Sequence, residues 1–434
     1  MKSTVFLSVL FAGVVASAVP TVSDVAMTQD AATRKVTIGY TLAGDAAIIT
    51  VDILTNGVSI GAKNLTHFSG DVFRKVTGAG GHTMQWRPDY AFQPGFDIVG
   101  NEVTAVVKAW TEADPPDVMV VELCGRCVKR YYEDVEQLPG GLMDNETYRT
   151  TSMVMKRIRA AGQSILFGID HDLWNASLAQ TRWPLRQVFM DGDYYMGVFE
   201  VTGAQMITGI NNHWEYNRHY SDQTWQSEHQ DWVNDWRMRP CSLYTIRALR
   251  GVKPPARVDA SYNDGLGLFQ KRTGLYFDLP TAAQWEFAAR AGFSSYFLGR
   301  GDCPLPIQTT QDAPDESGVL KRIAVYGANA NGNPARVGSK EANAFGLYDM
   351  FGNVAECCLD ERLSDMKEQD RDGAPSVDSD YNVGKQDALR EYQALGGKFG
   401  DVTGNVNHYA RNSSYWDSPL AQSGYSYRFV VPIR

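Results

Sequence analysis

The sequence lacks the features that mark several large classes of protein. It contains no run of about 18 apolar residues, so no segment suits a bilayer-spanning helix. Positive charge is in deficit, with 41 Lys and Arg against 50 Asp and Glu and a net charge of −9. That argues against nucleic acid or an anionic membrane as the main partner, because both select a basic face. Histidine is scarce, seven in 434 residues. His213, His219 and His229 lie in a polar, Trp-rich stretch at spacings that match no usual ligand pattern, so a solvated loop is expected there. No phosphate-cradling glycine loop and no Ser-His-Asp arrangement emerges.

Cysteine is also sparse: Cys124, Cys127, Cys241, Cys303, Cys357 and Cys358, and none after that. Cys124-Gly-Arg-Cys127 is a lone C-x-x-C with no second pair and no matching histidines. A redox pair, a structural disulfide and pairings elsewhere all stay open. Cys357 and Cys358 are adjacent and poorly placed to bond each other, since a vicinal disulfide strains the peptide between them.

What is present reads as an exported, soluble, multidomain chain. Hydrophobic residues at 44% and charged ones at 21% are ordinary for a globular protein, and 434 residues suffice for two or three domains. Residues 1–18 have the form of a signal peptide: Lys2, an apolar run from Val5 to Val15, then Ala16-Ser-Ala18 as cleavage site. A secreted, periplasmic or cell-surface location follows as the expectation. Residues 19–113 read as all-β, with alternating strands at Lys35–Leu42, Ala47–Leu54, His82–Arg87 and Val103–Trp110. Asn56-Gly57 marks a tight turn. An immunoglobulin- or fibronectin-like sandwich is expected, serving as a spacer or an adhesion module. Residues 114–149, with Pro115-Pro116, read as linker and short strand, and residues 150–434 as a further domain.

That last region is organised around Asn343-Ala-Phe-Gly-Leu-Tyr-Asp-Met-Phe-Gly-Asn-Val-Ala-Glu356. Its glycines permit positive φ, and Phe345, Leu347, Tyr348, Met350 and Phe351 are too apolar to leave in water. It is expected to be an irregular segment folded into a core, with Asn343, Asp349, Asn353 and Glu356 partnering its backbone or a cation. Two capping boxes mark helix starts. Thr202 with Gln205 follows Tyr194–Val201, and Thr281 with Gln284 opens a helix with an apolar side of Trp285, Phe287, Ala288 and Ala289.

These segments resemble the formylglycine-generating enzyme/sulfatase-modifying factor family over some 285 residues. Asn343–Glu356 is similar to its core signature, and Leu279–Gly292 to its RLPTEAEWE motif, with Asp278 where the family usually has Arg. Leu395-Gly-Gly-Lys-Phe399, Ala410-Arg411 and Ser426-Tyr-Arg428 stand for its later motifs. The resemblance implies an α+β, C-type-lectin-like fold with a small twisted sheet, two helices and much loop. It implies a structural calcium held by the Asn343 side chain and the carbonyls of Ala344, Gly346 and Tyr348. It also implies a copper-binding cysteine pair near the C-terminus, but residues 405–420 contain no cysteine. No copper is therefore expected, and the signature activity is not.

Two readings follow. In one, the chain is a non-catalytic binding module, a pseudoenzyme whose ligand is an extracellular protein or glycan. Residues 398–426 mix Asn, Ser and Asp with Tyr and Trp, as antibody loops do, and also resemble variable ligand-binding proteins of this fold. Lys398, Phe399, His408, Asn412, Tyr415, Trp416 and Asp417 are the candidates. The alternative use of these aromatics is as core. In the other reading the chain is an oxidoreductase of the wider family with a metal site of another kind, an analogy of fold only.

Overall fold

The computed structural model describes residues 18–167, 186–210, 235–241, 245–254, 256–258, 264–291, 318–362, 386, 390–401, 411–415 and 424–433. Of residues 411–415 only the backbone is described. The signal-like residues 1–17, the three histidines and Cys303 lie outside them. The chain divides into two compact units, Met1–Pro115 and Pro116–Arg434.

In the first unit, β1 (Thr21–Gln29), β2 (Val36–Ala43), β5 (Phe68–Gly70) and β7 (Gly80–Trp86) form one sheet in the order β1-β2-β7-β5. In the other, β3 (Ala47–Thr55) pairs along its length with β8 (Val103–Trp110) and also with β4 (Val58–Ser59) and β6 (Arg74–Val76). The alternation read in β2 is realised: Val36, Ile38, Tyr40 and Leu42 are buried, with Trp86 and Met84 directly across from Val36 and Ile38. Asn56 and Gly57 both take positive φ, 49° and 76°, the two-residue turn that matches strand twist in a hairpin. This is the expected sandwich.

The second unit is α+β. Its largest sheet has the order β10-β9-β11-β14-β21, built from β9 (Val118–Glu122), β10 (Lys129–Tyr132), β11 (Ser152–Ile158), β14 (Tyr194–Gly197) and β21 (Val430–Pro432), all antiparallel. The segment expected as linker and short strand thus supplies two strands. Val118, Met119, Val120 and Val121 are all buried, an unbroken apolar run that needs cover on both faces. A smaller pair joins β12 (Ser164–Phe167) to β13 (Arg186–Phe189), and β15 (Ala324–Val325) runs parallel to β16 (Phe351–Gly352). The last sheet, β19-β18-β17-β20, comprises β17 (Ala355–Glu361), β18 (Glu391–Leu395), β19 (Arg411–Tyr415) and β20 (Tyr425–Ser426).

Five described helices replace the two expected: α1 (Gly203–Ile210), α2 (Ile246–Arg250), α3 (Gly265–Thr273), α4 (Ala282–Ala289) and α5 (Val319–Ile323). α2 and α5 are little more than one turn, too short to leave a periodic signal. Both capping boxes are present. Thr281 accepts from Gln284 N at 3.1 Å while Gln284 accepts from Thr281 N at 3.0 Å, and Thr202 and Gln205 do the same. α4 lays Trp285 and Phe287 in a core with Tyr194, Met196, Leu347, Met350 and Leu395.

Candidate functional site

Asn343–Glu356 keeps no regular structure until β16. Leu347, Met350 and Phe351 are buried, while Phe345 and Tyr348 are half-buried. Gly352 is required: its φ is +71°, and an added Cβ would lie 2.1 Å from the Val325 carbonyl oxygen. Three of the four polar side chains expected to serve backbone groups do so. Asn353 accepts from Ala335 N at 2.8 Å, Asp349 from Gly338 N at 2.5 Å, and Asn343 from Phe345 N and Leu347 N.

Glu356 serves a cation instead. Its oxygens accept from Arg428 at 2.6–3.0 Å and from Trp285 Nε1 at 2.7 Å. The same guanidinium donates to the carbonyls of Gly197, Val198 and Tyr348. One buried cation thereby ties β14, the core motif and β17 together. Burial alone would lower the Arg428 pKa, but the Glu356 charge and hydrogen bonds outweigh it and hold the pKa above its ordinary value.

Two further carboxyls crowd this pair. Glu200 accepts from Asn353 Nδ2 at 2.6 Å and from Val354 N at 3.2 Å. Burial pushes it well above the usual carboxylate range, and the charges of Asp349 and Glu356 push the same way. Burial likewise raises Asp349 to about 6, against the pull of the Gly338 amide and Arg428. Asp349 Oδ1 is buried without a hydrogen-bond partner. Burial and the neighbouring negative charge therefore both oppose ionisation of Glu200 and Asp349. Closed to solvent, this hub orders the chain.

Two of the four donors implied for calcium, the Asn343 side chain and the Tyr348 carbonyl, are already occupied. The Asn343 carboxamide takes two amides through its oxygen and donates to Ala288 O and Ala289 O. The Tyr348 carbonyl accepts the Arg428 guanidinium at 2.7 Å, placing a positive charge where a cation would sit. Ala344 is exposed and Gly346 half-buried on the same turn. The residues present fit a turn cap and do not fit a calcium ion. Among the described residues no three His, Cys, Asp or Glu side chains are grouped to hold a metal.

The hub carries a loop toward the surface. Asn353 O accepts from Phe399 N at 2.8 Å, Gly396 O from Gly352 N at 2.9 Å, and Gly424 O from Ala355 N at 2.8 Å. Lys398 Nζ stands 5.0 Å from the Tyr425 ring centroid, a cation–π contact. Burial raises the Tyr425 phenol to about 12. Of the candidate binding residues, Lys398 and Phe399 are therefore brought together beside Tyr425. Asn412 and Tyr415 lie in β19, opposite Ala394 and Glu391 of β18. His408, Trp416 and Asp417 lie outside the described residues. Cys357 and Cys358 are fully buried in β17, and successive strand residues face opposite ways.

Sequence reasoning missed Glu200 and the role of Arg428. The available signal was an acid inside the apolar stretch Val198-Phe-Glu-Val201. It also noted Asp278 only as a departure from the family motif. Asp278 receives a two-pronged pair from Arg250, at 2.7 and 2.9 Å.

Comparison with known proteins agrees with the motifs. The model of the sulfatase-modifying factor enzyme 1-like domain matches residues 147–427. Among solved structures, the chain is similar to Treponema denticola variable protein 1, with 18% identity, TM-score 0.44, and coverage of 65% of this chain and 95% of that one. It is also similar to PvdO from Pseudomonas aeruginosa, with 19% identity, TM-score 0.41, and coverage of 64% and 94%. No curated protein matches the chain.

Proposed function

Because the chain belongs to the sulfatase-modifying factor enzyme 1-like family, we propose that it is an exported, non-catalytic member that binds a ligand at the surface around Lys398, Phe399 and Tyr425. The observation that carries this is the placing of its thiols. Copper-based oxidation of a substrate cysteine needs two thiolates around one soft ion with a position left open. No cysteine follows Cys358 in the sequence. Cys357 and Cys358 are fully buried in one strand, where they leave no open position to meet a substrate.

The binding half of the proposal rests on chemistry and position. A cation stacked on a phenol, with Phe399 beside it, gives stiff aromatic contact area. Asn412, Tyr415, Trp416, His408 and Asp417 would extend it with adaptable hydrogen bonds. An extracellular protein or glycan is the class of ligand such a surface suits. No nucleic acid is expected, given the net charge of −9.

The test is a binding screen of the full chain against arrayed glycans and exported proteins. Tyr415→Ala and Trp416→Ala are expected to keep the wild-type melting curve and abolish the binding found. Binding that survives both changes puts the site elsewhere. Elemental mass spectrometry of the unstripped protein tests the other half, and stoichiometric copper or iron would overturn the non-catalytic reading.

A further inference from the structure

The turn Cys124-Gly-Arg-Cys127 joins β9 to β10 and takes no part in the site above. Backbone hydrogen bonds define it: Cys127 N donates to Cys124 O at 3.2 Å, and Glu122 N to Val128 O at 2.9 Å. Leu123, just before it, is held on both sides, its N–H donating to Thr151 O at 2.8 Å and its carbonyl accepting from Arg272 at 2.7 Å. A turn closed between residues i and i+3 brings those Cα atoms within about 7 Å. A disulfide spans about 4.4–6.8 Å between Cα atoms, so the backbone spacing of this turn is compatible with a bridge.

The two thiols are differently placed. Cys124 is exposed, Cys127 is buried, and both are free. Cys127 also has a φ of +51°, and Gly125, two residues before it, +59°. Glycine or asparagine ordinarily fills such a left-handed position, so a cysteine there points to a use for its side chain.

We propose that Cys124 and Cys127 form a thiol–disulfide exchange site whose substrate class is the disulfide of a small thiol or of another protein. Cys124, the accessible thiol, attacks as thiolate. It bonds to one sulfur of the substrate disulfide and expels the other as a thiol. Cys127 then loses its proton to solvent and attacks Cys124, releasing the second substrate thiol and leaving a Cys124–Cys127 bridge. Two electrons pass from the pair to the substrate, and the reverse sequence returns them. Reversibility follows from the local structure. Closing a four-residue loop adds little constraint to the unfolded chain. The turn is already fixed by backbone hydrogen bonds, and short, exposed, strained bridges are the labile ones.

The experiment equilibrates the full chain in buffers spanning reduced to oxidised glutathione, traps thiols with N-ethylmaleimide, and reads the 124–127 peptide by mass spectrometry. The peptide is expected to pass between a doubly alkylated form and an internally bridged form two hydrogens lighter, with near-UV circular dichroism unchanged. Cys127→Ser is expected to accumulate Cys124 as the glutathione mixed disulfide. Cys124→Ser is expected to form no mixed disulfide and to alkylate at Cys127 at least tenfold more slowly. Three results would overturn the proposal: alkylation of both thiols at every ratio, a bridge that resists excess glutathione until the protein unfolds, or Cys124 bridged to a different cysteine.

Discussion

The two units bury polar groups very differently. Among the described residues, the sandwich buries Thr50 and no charged side chain. The second unit buries Glu200, Arg250, Glu286, Arg290, Asp349, Glu356, Asp360, Glu361, Glu391 and Arg428, among others. Both have apolar cores, so hydrophobicity does not explain the contrast. Regularity does. In the sandwich, β3 pairs with β8 over eight successive residues, and the ladder satisfies the backbone by itself. In the second unit the core is crossed by irregular chain, whose amides and carbonyls must find side chains. Buried charge there replaces a missing ladder.

The sharpest way to break this comparison is to remove the cation at the hub. Arg428→Met keeps most of the side-chain volume but strands Glu356 and leaves the carbonyls of Gly197, Val198 and Tyr348 without their donor. Breaking a buried pair on one side costs on the order of 3–5 kcal/mol. Urea unfolding should show a loss of that size, or no soluble protein. A loss below about 1 kcal/mol would mean the hub is incidental to the fold.

A second, smaller effect separates charge from hydrogen bonding in the same hub. Asp349 titrates at about 6 in the folded chain against an ordinary value of 3.8. The folded state therefore holds this proton more tightly than the unfolded state. Its contribution to stability is complete below about pH 4 and lost as pH rises through about 6. Asp349→Asn can still accept from Gly338 N and never ionises. Glu200, Glu356, Arg428 and Lys340 face the same group and are unchanged by it. The variant should gain on the wild type by roughly 2–3 kcal/mol between about pH 4 and pH 7. Denaturant midpoints across that range check it, and a gap that stays flat would show that Asp349 does not titrate there.

The same distinction explains what could be read in the sequence. Local signals were legible. Thr281 with Gln284, Thr202 with Gln205, and Asn56-Gly57 each specify their structure within four residues, and each formed as expected. The hub was not, because its partners are distant: Glu356 meets Arg428 across 72 residues, and Glu200 meets Asn353 across 153. Asp278 illustrates the limit. Its departure from the family motif was visible, but the Arg250 that pairs with it lies on a five-residue helix with no periodic signature. For the candidate surface, composition offered residues 398–426 as contact surface or as core, and only burial separates half-buried Tyr425 from fully buried Tyr427 just beyond them.

The smallest effect should come from the sandwich. Thr50 is fully buried, and its hydroxyl accepts from Trp110 Nε1 at 2.8 Å. Thr50→Val keeps the shape and the β-branched preference for a strand, and the ladder to β8 is untouched. Trp110 is only half-buried, so its indole N–H can turn to water instead of being stranded. The loss should be on the order of 1 kcal/mol, the scale of net hydrogen-bond contributions. The measurement is the urea midpoint of the full chain, followed by fluorescence of its tryptophans. If Thr50→Val costs as much as Arg428→Met, the sandwich also depends on buried polar groups, and regular pairing does not account for the difference between the units.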